Sequence, residues 1–269
     1  MAKYQGWAGW PFRGLEEDLS ILDVVKFGTI DYKLAGLFWL LMEQRASIVV
    51  AAGPAWVGKT TLMHAMLDFL PPQVDQYTLK GYFEDFREVN VQKPEKTYLV
   101  AEEISNHQSE YLWGVQVVKA FNYLTKGFAL GTTTHARNIQ EVAYILNALG
   151  VKPEIIARLG LIVTMQVARG KSFDDEPIRF VDTVSTINNS EQGLVAHILA
   201  SRGKASEAMT YPDEDNLKQV LGDKFGLRYD SVTAEIEKRG RLLQKLDENK
   251  VSRKELLKAI GDFYREKSD

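Results

Sequence analysis

The stretch that decides the fold is Gly53-Pro54-Ala55-Trp56-Val57-Gly58-Lys59-Thr60, which fits the G-x-x-x-x-G-K-[ST] pattern of a phosphate-binding loop. The residues before it, Ser47 to Ala52, are mostly apolar and predict a short buried strand. The residues after it, Thr61 to Leu70, carry leucine and methionine at helical spacing and predict a helix. A strand that turns sharply into a helix points backbone N–H groups and the positive helix end at one place, where phosphate charge is stabilised. The stretch therefore predicts nucleotide binding.

Each part of this loop has a predicted role. Lys59 is expected to reach the β- and γ-phosphates, and Thr60 is expected to ligate Mg²⁺. Trp56 stands where such loops commonly carry glycine, because the backbone passes close to the phosphates and can need a positive φ. We expect a strained backbone at Trp56 and an indole that crowds the entrance and weakens binding. The predicted nucleotide-binding residues are Gly53, Pro54, Ala55, Trp56, Val57, Gly58, Lys59, Thr60 and Thr61.

Composition bounds the class of protein. The chain has 269 residues, 45% of them hydrophobic and 26% charged, which is typical of a soluble globular protein. The net charge of −3 argues against broad binding of nucleic acid. The chain has no cysteine, so disulfides and thiolate metal sites are excluded. The longest apolar run of its first third, Leu34 to Met42, is far shorter than the roughly 20 residues of a membrane span, so we expect a cytoplasmic protein without a transmembrane segment.

The predicted elements divide the chain into three segments. Residues 1–45 form an N-terminal linker or helical segment that is expected to pack on the core. The alternative is that its aromatic tip, with Trp7, Trp10 and Phe12, docks on a neighbouring subunit. Residues 46–188 alternate strands and helices, which predicts an α/β core with a largely parallel sheet covered on both faces and an antiparallel strand pair added late. Residues 189–269 are predicted to form a C-terminal helical module.

The boundaries of these elements follow from apolar periodicity and from turn residues. Gly222 is the predicted end of a helix that begins near Asp213, and Ser252-Arg253-Lys254-Glu255 is a capping box that opens the last helix. The predicted core strands are 47–52, 76–79, 97–101, 128–134, 161–168 and 178–184, the last two joined by a charged turn, and the predicted core helices are 61–70, 110–125, 139–149 and 153–158.

Two further segments place chemistry at strand ends. Tyr98 to Ala101 is an apolar strand that delivers Glu102 and Glu103 at its carboxyl end, where ligands bind in open α/β sheets. Such an acid holds the Mg²⁺ water shell or orients the attacking water. If the strand is regular, the two glutamates point to opposite faces and only one is functional. The next strand ends in Thr132-Thr133-Thr134-His135, which puts a histidine where it could sense a γ-phosphate.

With these segments, the chain resembles the ATPases of type II and type IV secretion, type IV pili and the archaellum. The resemblance runs from about Leu22 to the C-terminus. It includes the lead-in Leu19 to Ile30, the exit Phe69-Leu70-Pro71-Pro72, Lys93-Pro94-Glu95 before the acidic strand, and the C-terminal Ile236 to Leu243. It implies a P-loop NTPase core of the RecA-like type that uses ATP and Mg²⁺.

The resemblance also implies site residues. The family's strand glutamate falls on Glu103, with Glu102 as the rival register and as a metal residue beside Thr60. The histidine of its His box falls on His135, and an arginine that contacts the terminal phosphate falls on Arg87. The predicted catalytic residues are therefore Glu103, Glu102, His135 and Arg87.

The departures from the family pattern are as informative as the matches. The family's acidic "Asp box" is replaced by Thr78-Leu79-Lys80-Gly81, a second arginine by Val91, and the arginine after the strand glutamate by Ser105. Only the linker-like end of the family's N-terminal domain has a counterpart, so the chain resembles a shortened and partly degenerate member. A missing general base reduces rates about 10²–10⁴-fold and a missing phosphate-contacting arginine about 10³–10⁵-fold. We expect slow hydrolysis with nucleotide affinity retained.

Three functions follow from these patterns. The first is a secretion or pilus motor ATPase, with Glu84 or Asp85 replacing the lost acids. The second is a catalytically impaired pseudo-ATPase that serves as an assembly or regulatory subunit. The third is a small-molecule kinase, which the His box argues against. The resemblance implies a homo-oligomer, a hexamer, or a hetero-oligomer with a related ATPase, and a membrane platform protein as partner. It implies no nucleic acid, and peripheral association with the inner face of the membrane is an alternative to a purely cytoplasmic location.

Overall fold

A computed structural model describes residues 19–168 and 177–268 of the chain. Trp7, Trp10, Phe12 and the charged turn expected after residue 168 lie outside these ranges. The described strands are β1 (Ile48–Ala51), β2 (Asp75–Thr78), β3 (Thr97–Ile104), β4 (Ala129–Thr134), β5 (Leu161–Ala168), β6 (Ile178–Ser190) and β7 (Gly193–Ser201). The described α-helices are α1 (Ile21–Lys26), α2 (Tyr32–Glu43), α3 (Lys59–Leu67), α4 (Val115–Asn122), α5 (Ile139–Ala148), α6 (Pro153–Ile156), α7 (Glu214–Phe225), α8 (Val232–Glu248) and α9 (Arg253–Ser268).

The seven strands form one sheet in the order β2-β3-β4-β1-β5-β6-β7. The first five strands in sequence are parallel where they pair, and β6 and β7 pair antiparallel at one edge. The predicted α/β fold with a largely parallel sheet is therefore confirmed. Because β1 lies at the centre, the loop that follows it emerges in the middle of the carboxyl edge of the parallel strands. Ligands bind at this edge in open α/β sheets.

Helices cover both faces of the sheet, so the core has two halves. On one face, α1, α2, α3, α7, α8 and α9 pack against alternate strand residues such as Ile48 and Val50. On the other face, α4, α5 and α6 pack against the residues between them, Val49 and Ala51. The central strand is thus buried on both sides, which explains its continuous apolar sequence. Among the described helices, none combines the length and the apolar character that a membrane crossing requires.

Helix α2 is the most deeply buried helix on its face. Its first turn is capped by the Asp31 carboxylate, which accepts the Leu34 N–H at 2.7 Å. Gly36 lies against α8, where an added Cβ would stand 2.2 Å from the Ile236 carbonyl oxygen. Gly240 makes the reciprocal approach, 2.7 Å from the Tyr32 carbonyl oxygen. Only glycine permits backbones to come this close, so α2 and α8 form a tight pair.

An ion-pair network closes the other end of this helix pair. Arg239 on α8 is fully buried and donates to the carboxylates of Glu43 at 2.6 Å and Glu235 at 2.7 Å. Lys267 on α9 also pairs with Glu43. The guanidinium lies 4.9 Å from the ring centroid of Phe263. The two contacts of Glu43 are long-range, since it is separated by 196 positions from Arg239 and by 224 from Lys267.

Three expectations about boundaries are wrong. The segment after residue 189 does not turn helical at once, because Gly193–Ser201 forms β7 and extends the sheet. Gly222 does not end α7, which continues to Phe225 and ends at Gly226 in the left-handed conformation, φ +68. The helix expected over 110–125 begins only at Val115 and tightens into a 3₁₀ turn at Tyr123. The division of the chain into segments 1–45, 46–188 and 189–269 stays a prediction.

Candidate nucleotide-binding site

The phosphate loop runs from the end of β1 directly into α3, as the sequence predicts. Residues 53–58 form successive bends, and α3 begins at Lys59. Gly58 precedes it in the left-handed conformation, with φ +92, which glycine adopts without strain. No side chain accepts a hydrogen bond from the first backbone N–H groups of α3. The loop and the helix end together offer donors and positive potential to an anion.

Lys59 is the buried cation of this loop. The residue is only 5% exposed, and no hydrogen bond or ion pair joins its side-chain ammonium to another residue in the described part of the chain. Burial lowers the pKa of its ammonium, and the charge of Glu103 opposes that shift. A buried charge without a hydrogen-bonded counter-ion is unfavourable. An incoming phosphate would supply the missing counter-ion and so offset the free-energy cost of burying this charge.

Trp56 has the backbone conformation that the sequence led us to expect. Its φ is +63, in the left-handed region that is strained for a non-glycine residue. The residue is 83% exposed, so the indole lies in solvent. The expectation that the indole crowds the entrance is therefore not met in this conformation.

Two arginines that sequence reasoning did not assign lie against the loop. Arg179 on β6 donates its Nε–H to the Trp56 carbonyl oxygen at 3.0 Å. Arg137, which follows β4, lies over Gly53, where an added Cβ would stand 2.7 Å from its Cγ. Its guanidinium is bonded to Glu141. Arg137 comes from the end of β4, which lies next to β1, and Arg179 comes from β6, two strands from β1. Their proximity to the loop depends on this strand order, which no local sequence signal reveals.

The two glutamates at the end of β3 sit in a β-bulge. Pairing with β4 runs in register to Ala101 and resumes at Ile104 with one residue extra on β3. Ile104 packs on the same face as Leu99 and Ala101, although strict alternation would put it on the opposite face. The bulge thus lies at Glu102 and Glu103. The strand is irregular at this point, so the expected placement of the two carboxylates on opposite faces does not apply.

Glu103 and His135 meet beside the start of the loop. The Nε2 of His135 lies 3.4 Å from the Oε1 of Glu103, and its Nδ1 lies 3.1 Å from the Gly53 carbonyl oxygen. Glu103 is buried, and its Oε1 has no partner with hydrogen-bond geometry among the described atoms. Its charge acts on Lys59. The structure therefore brings Glu103, His135 and Lys59 together at one end of the loop.

Glu102 lies on the other side of this arrangement. Its Oε2 is 3.3 Å from the Nε2 of His64, which lies on α3. His64 was not assigned a role from sequence, although its position four residues after Thr60 places it on the loop's own helix. In the described ranges, no group of three His, Asp or Glu is positioned to hold a metal ion. A metal role for Glu102 and Thr60 stays a prediction.

Arg87 and the acids before it lie away from the loop. They follow β2, an edge strand that β3 and β4 separate from β1. The Arg87 side chain is 86% exposed and pairs with Asp85 at 3.3 Å. Within the described part of one chain, no hydrogen bond or ion pair joins Arg87 to the loop. A contact with the terminal phosphate from this position therefore requires another chain or a movement.

We expect the Arg179 contact to hold the strained turn at Trp56. In Arg179→Ala, the amides of Val57 and Gly58 should exchange hydrogen about twofold to tenfold faster, as expected for the loss of one hydrogen bond. Hydrogen–deuterium exchange of the ligand-free protein measures this. In a Trp56→Gly background, where the turn is unstrained, the effect of Arg179→Ala should shrink. Arg137→Ala is the control, because its guanidinium does not bond a loop carbonyl. Equal effects in both backgrounds would contradict the role.

Comparisons with known proteins give distant relatives. No protein-family model matches the chain. It is similar to an uncharacterised protein of Methanocaldococcus jannaschii, 22% identical over an alignment of 273 positions that covers 90% of this chain and 96% of the relative. A second uncharacterised protein of that organism is 25% identical over an alignment of 150 positions that covers 48% of this chain and 26% of the relative.

Three solved structures are similar at low scores. The VirB11 ATPase of the Brucella suis type IV secretion system is 16% identical with a TM-score of 0.38, over 67% of this chain and 57% of that one. The DotB ATPase of Legionella pneumophila is 14% identical with a TM-score of 0.34, over 55% of this chain and 47% of that one. The DotB ATPase of Yersinia pseudotuberculosis is 12% identical with a TM-score of 0.32, over 82% of this chain and 60% of that one. The chain thus spans about half of the length of these structures. The function has to be argued from the loop itself.

Proposed function

We propose that this chain is a nucleotide-binding ATPase of the secretion and pilus motor type, which binds ATP with Mg²⁺ and hydrolyses it slowly. The observation that supports this most is the buried Lys59, which has no ionic partner among the described residues and lies at the end of an open phosphate loop. Nucleotide coupling would then serve protein export or filament assembly.

The loop fits a polyphosphate group. The left-handed Gly58 and the uncapped start of α3 leave backbone donors free, and Lys59 supplies a desolvated charge. Interactions between charges are stronger in such a site than in water. The exposed indole of Trp56 leaves the approach from solvent open. These features support nucleotide binding at Gly53 to Thr61.

The proposed metal is one that arrives with the nucleotide. Thr60, on the first turn of α3, would hold it with its hydroxyl, and Glu102 is the nearby acid assigned from sequence. When bound, Mg²⁺ neutralises charge that develops on the phosphates. The contact of Glu102 with His64 orients that carboxylate, since His64 lies on the same helix as Thr60.

Glu103 is the proposed acid that orients the attacking water. Its Oε1 lacks a hydrogen-bond partner in the described structure, so it can accept one from water. His135 lies between this carboxylate and the Gly53 carbonyl, where it can report on the occupancy of the loop. The contact between Glu103 and His135 fixes the positions of both side chains, and neither side chain occupies the phosphate site.

Slow turnover is expected because the acids that could replace the missing acidic box do not lie at the phosphate loop. Glu84 is buried, and its two oxygens accept the N–H groups of Lys80 at 2.9 Å and Phe86 at 2.6 Å. It therefore stabilises its own turn and does not replace the missing acidic box. Asp85 bonds the backbone and the guanidinium of Arg87. These observations favour a second candidate, an assembly or regulatory subunit that binds nucleotide without turnover.

Assembly and location are part of the proposal. Arg87 is exposed, so its side chain is free to reach the nucleotide of a neighbouring subunit. We therefore propose a hexamer or a hetero-oligomer with a related ATPase. The proposed partner is a membrane platform protein, and the proposed location is cytoplasmic, with peripheral contact at the membrane.

Nucleotide-dependent stability tests the proposal. With Mg²⁺–ATP at 100 times its Kd, the free energy of unfolding should rise by about 2.7 kcal/mol. For a chain of this size that corresponds to a rise in Tm of roughly 5–10 °C. Lys59→Ala should abolish the rise, and Lys119→Ala, an exposed lysine on α4, should keep it.

Phosphate release separates the two candidates. Slow release that Lys59→Ala abolishes supports the ATPase. Release equal in the wild type and Lys59→Ala, together with a nucleotide-dependent rise in Tm, supports the regulatory subunit. No rise in Tm at millimolar Mg²⁺–ATP would overturn both.

A further inference from the structure

A cavity of about 320 Å³ lies at the edge of the sheet opposite to the phosphate loop. It is lined by residues that precede strands, among them Ser47 before β1, Phe128 before β4 and Gly160 before β5. The carboxyl ends of α2, α6 and α7 meet around it. It therefore belongs to the amino edge of the parallel strands and is separate from the candidate nucleotide site.

The cavity collects positive charge without a carboxylate. Arg45, Arg158 and Lys224 line it, and none of the lining residues is Asp or Glu. This contrasts with the net charge of −3 of the whole chain. Burial lowers the pKa of Lys224 to about 8, and the charge of Arg158 adds to that shift. Burial also lowers the pKa of Arg45. Like charges held together in this way favour an anion between them.

Carbonyl groups satisfy only part of this charge. Lys224 donates to the carbonyl oxygens of Ala157 at 2.5 Å and Ile187 at 2.6 Å, which leaves one ammonium proton. Arg45 donates to the carbonyl oxygens of Pro94 and Gly127. These bonds satisfy backbone carbonyl oxygens, which is a structural role.

Arg158 has no such role. The residue is exposed, and no hydrogen bond or ion pair joins its guanidinium to another residue within the ranges 19–168 and 177–268. The Ser47 hydroxyl accepts the Leu130 N–H at 3.2 Å, so its own proton is free to be donated into the cavity. Three kinds of donor therefore face one space: a guanidinium, an ammonium and a hydroxyl.

Part of the wall is apolar, beside the polar Gln44 and Ser47. Leu124, Phe128 and Phe225 line the cavity beside the cations. A volume near 300 Å³ is at the lower end of the range for small-molecule sites, which combine apolar walls with a few converging polar groups. The wall suits a ligand with an apolar body, and the cations suit an oxyanion at one end of it.

We propose that this cavity binds a small carboxylate with an apolar body, with Arg158 and Lys224 as the groups that recognise the carboxylate. Phe128 and Phe225 then pack on the body of the ligand. The proposal does not depend on nucleotide binding.

Benzoate is the probe that tests this proposal, by ligand-observed NMR titration of the full chain. We expect a Kd on the order of millimolar, as for other ligands of this size. Arg158→Gln should raise the Kd at least about tenfold, because it removes a charged donor. This variant breaks no hydrogen bond or ion pair of the described structure, and the residue is exposed, so it should fold. Lys224→Gln, which keeps a donor for the two carbonyls, should act in the same direction. Arg241→Gln, on exposed α8 surface, is the control.

The other arms decide the ligand class. Benzyl alcohol should not bind, and inorganic phosphate should bind more weakly than benzoate. Lys59→Ala should leave the benzoate Kd unchanged, which separates the cavity from the phosphate loop. Absence of benzoate binding, an unchanged Kd in Arg158→Gln, equal binding of benzyl alcohol or tighter binding of phosphate would each overturn the proposal.

Discussion

Glu103→Gln is expected to reduce phosphate release about 10²–10⁴-fold, the usual loss when a group that acts on the attacking water is removed. The substitution keeps the shape of the side chain and its neighbours. It removes the negative charge next to Lys59 and replaces one of the two carboxylate oxygens with an NH₂ group, so the side chain can no longer accept a proton from water. Nucleotide binding depends on the loop donors and Lys59, so the rise in Tm with Mg²⁺–ATP should persist. Single-turnover phosphate release measures the first effect and thermal unfolding the second.

Glu102→Gln is the matched control for this prediction. The two residues are adjacent, chemically alike and part of the same bulge, but Glu102 contacts His64 on α3. We expect its effect on release to be smaller, because the metal beside which Glu102 is proposed to act is also held by Thr60 and by the nucleotide phosphates. If Glu102→Gln abolishes release and Glu103→Gln does not, the two roles are reversed. Release that neither substitution changes argues for the regulatory subunit.

Arg239→Ala is expected to lower the free energy of unfolding by about 3–5 kcal/mol, as when one partner of a buried ion pair is removed. The fully buried guanidinium bonds Glu43 on α2 and Glu235 on α8, and it lies over the Phe263 ring. Its removal leaves two carboxylates partly unpaired and a void between three helices. Lys267 still reaches Glu43, which is why the expected loss is not larger. Urea denaturation measures it.

Arg241→Ala is the comparison on the same helix. Arg241 also pairs with a glutamate four residues earlier, Glu237 at 3.1 Å, but both side chains are exposed. An exposed pair of this kind contributes at most about 1 kcal/mol. A similar loss in the two variants would show that burial of Arg239 does not strengthen its role.

The phosphate loop and the layered sheet could be predicted from sequence because their signals are local. The G-x-x-x-x-G-K-[ST] pattern, an apolar strand and a helical repeat follow one another within residues 47–70, and β1 and α3 lie where this pattern puts them. Each element also agrees with its neighbours in the fold, which makes such signals reliable.

The features that could not be predicted depend on pairing between distant residues. The bulge at Glu102 and Glu103 is defined only against β4, and the alternation rule fails there. Arg179 reaches Trp56 across 123 positions of sequence because β6 lies two strands from β1 in the sheet, with β5 between them. No period or motif encodes such a contact.

The strand β7 was missed for a different reason. A turn signal was present at its start, since Gly193, with φ +104, follows the polar residues 188–192. Polar residues of this kind fit a hairpin as well as a helix boundary. Residues 194–200 are apolar apart from His197, and a short apolar run of this kind does not distinguish a strand from a helix.

The close pairing of α2 with α8 has a consequence for synthesis of the chain in the cell. Nine consecutive residues of α2, Leu34 to Met42, are buried, and α8, which lies against them, is encoded near the end. At about 5–20 residues per second, a ribosome needs roughly 10–40 s to translate the intervening stretch of roughly 190 residues. During that time the face of α2 that packs on α8 has no cover, and a chaperone that shields nascent chains would find its target there.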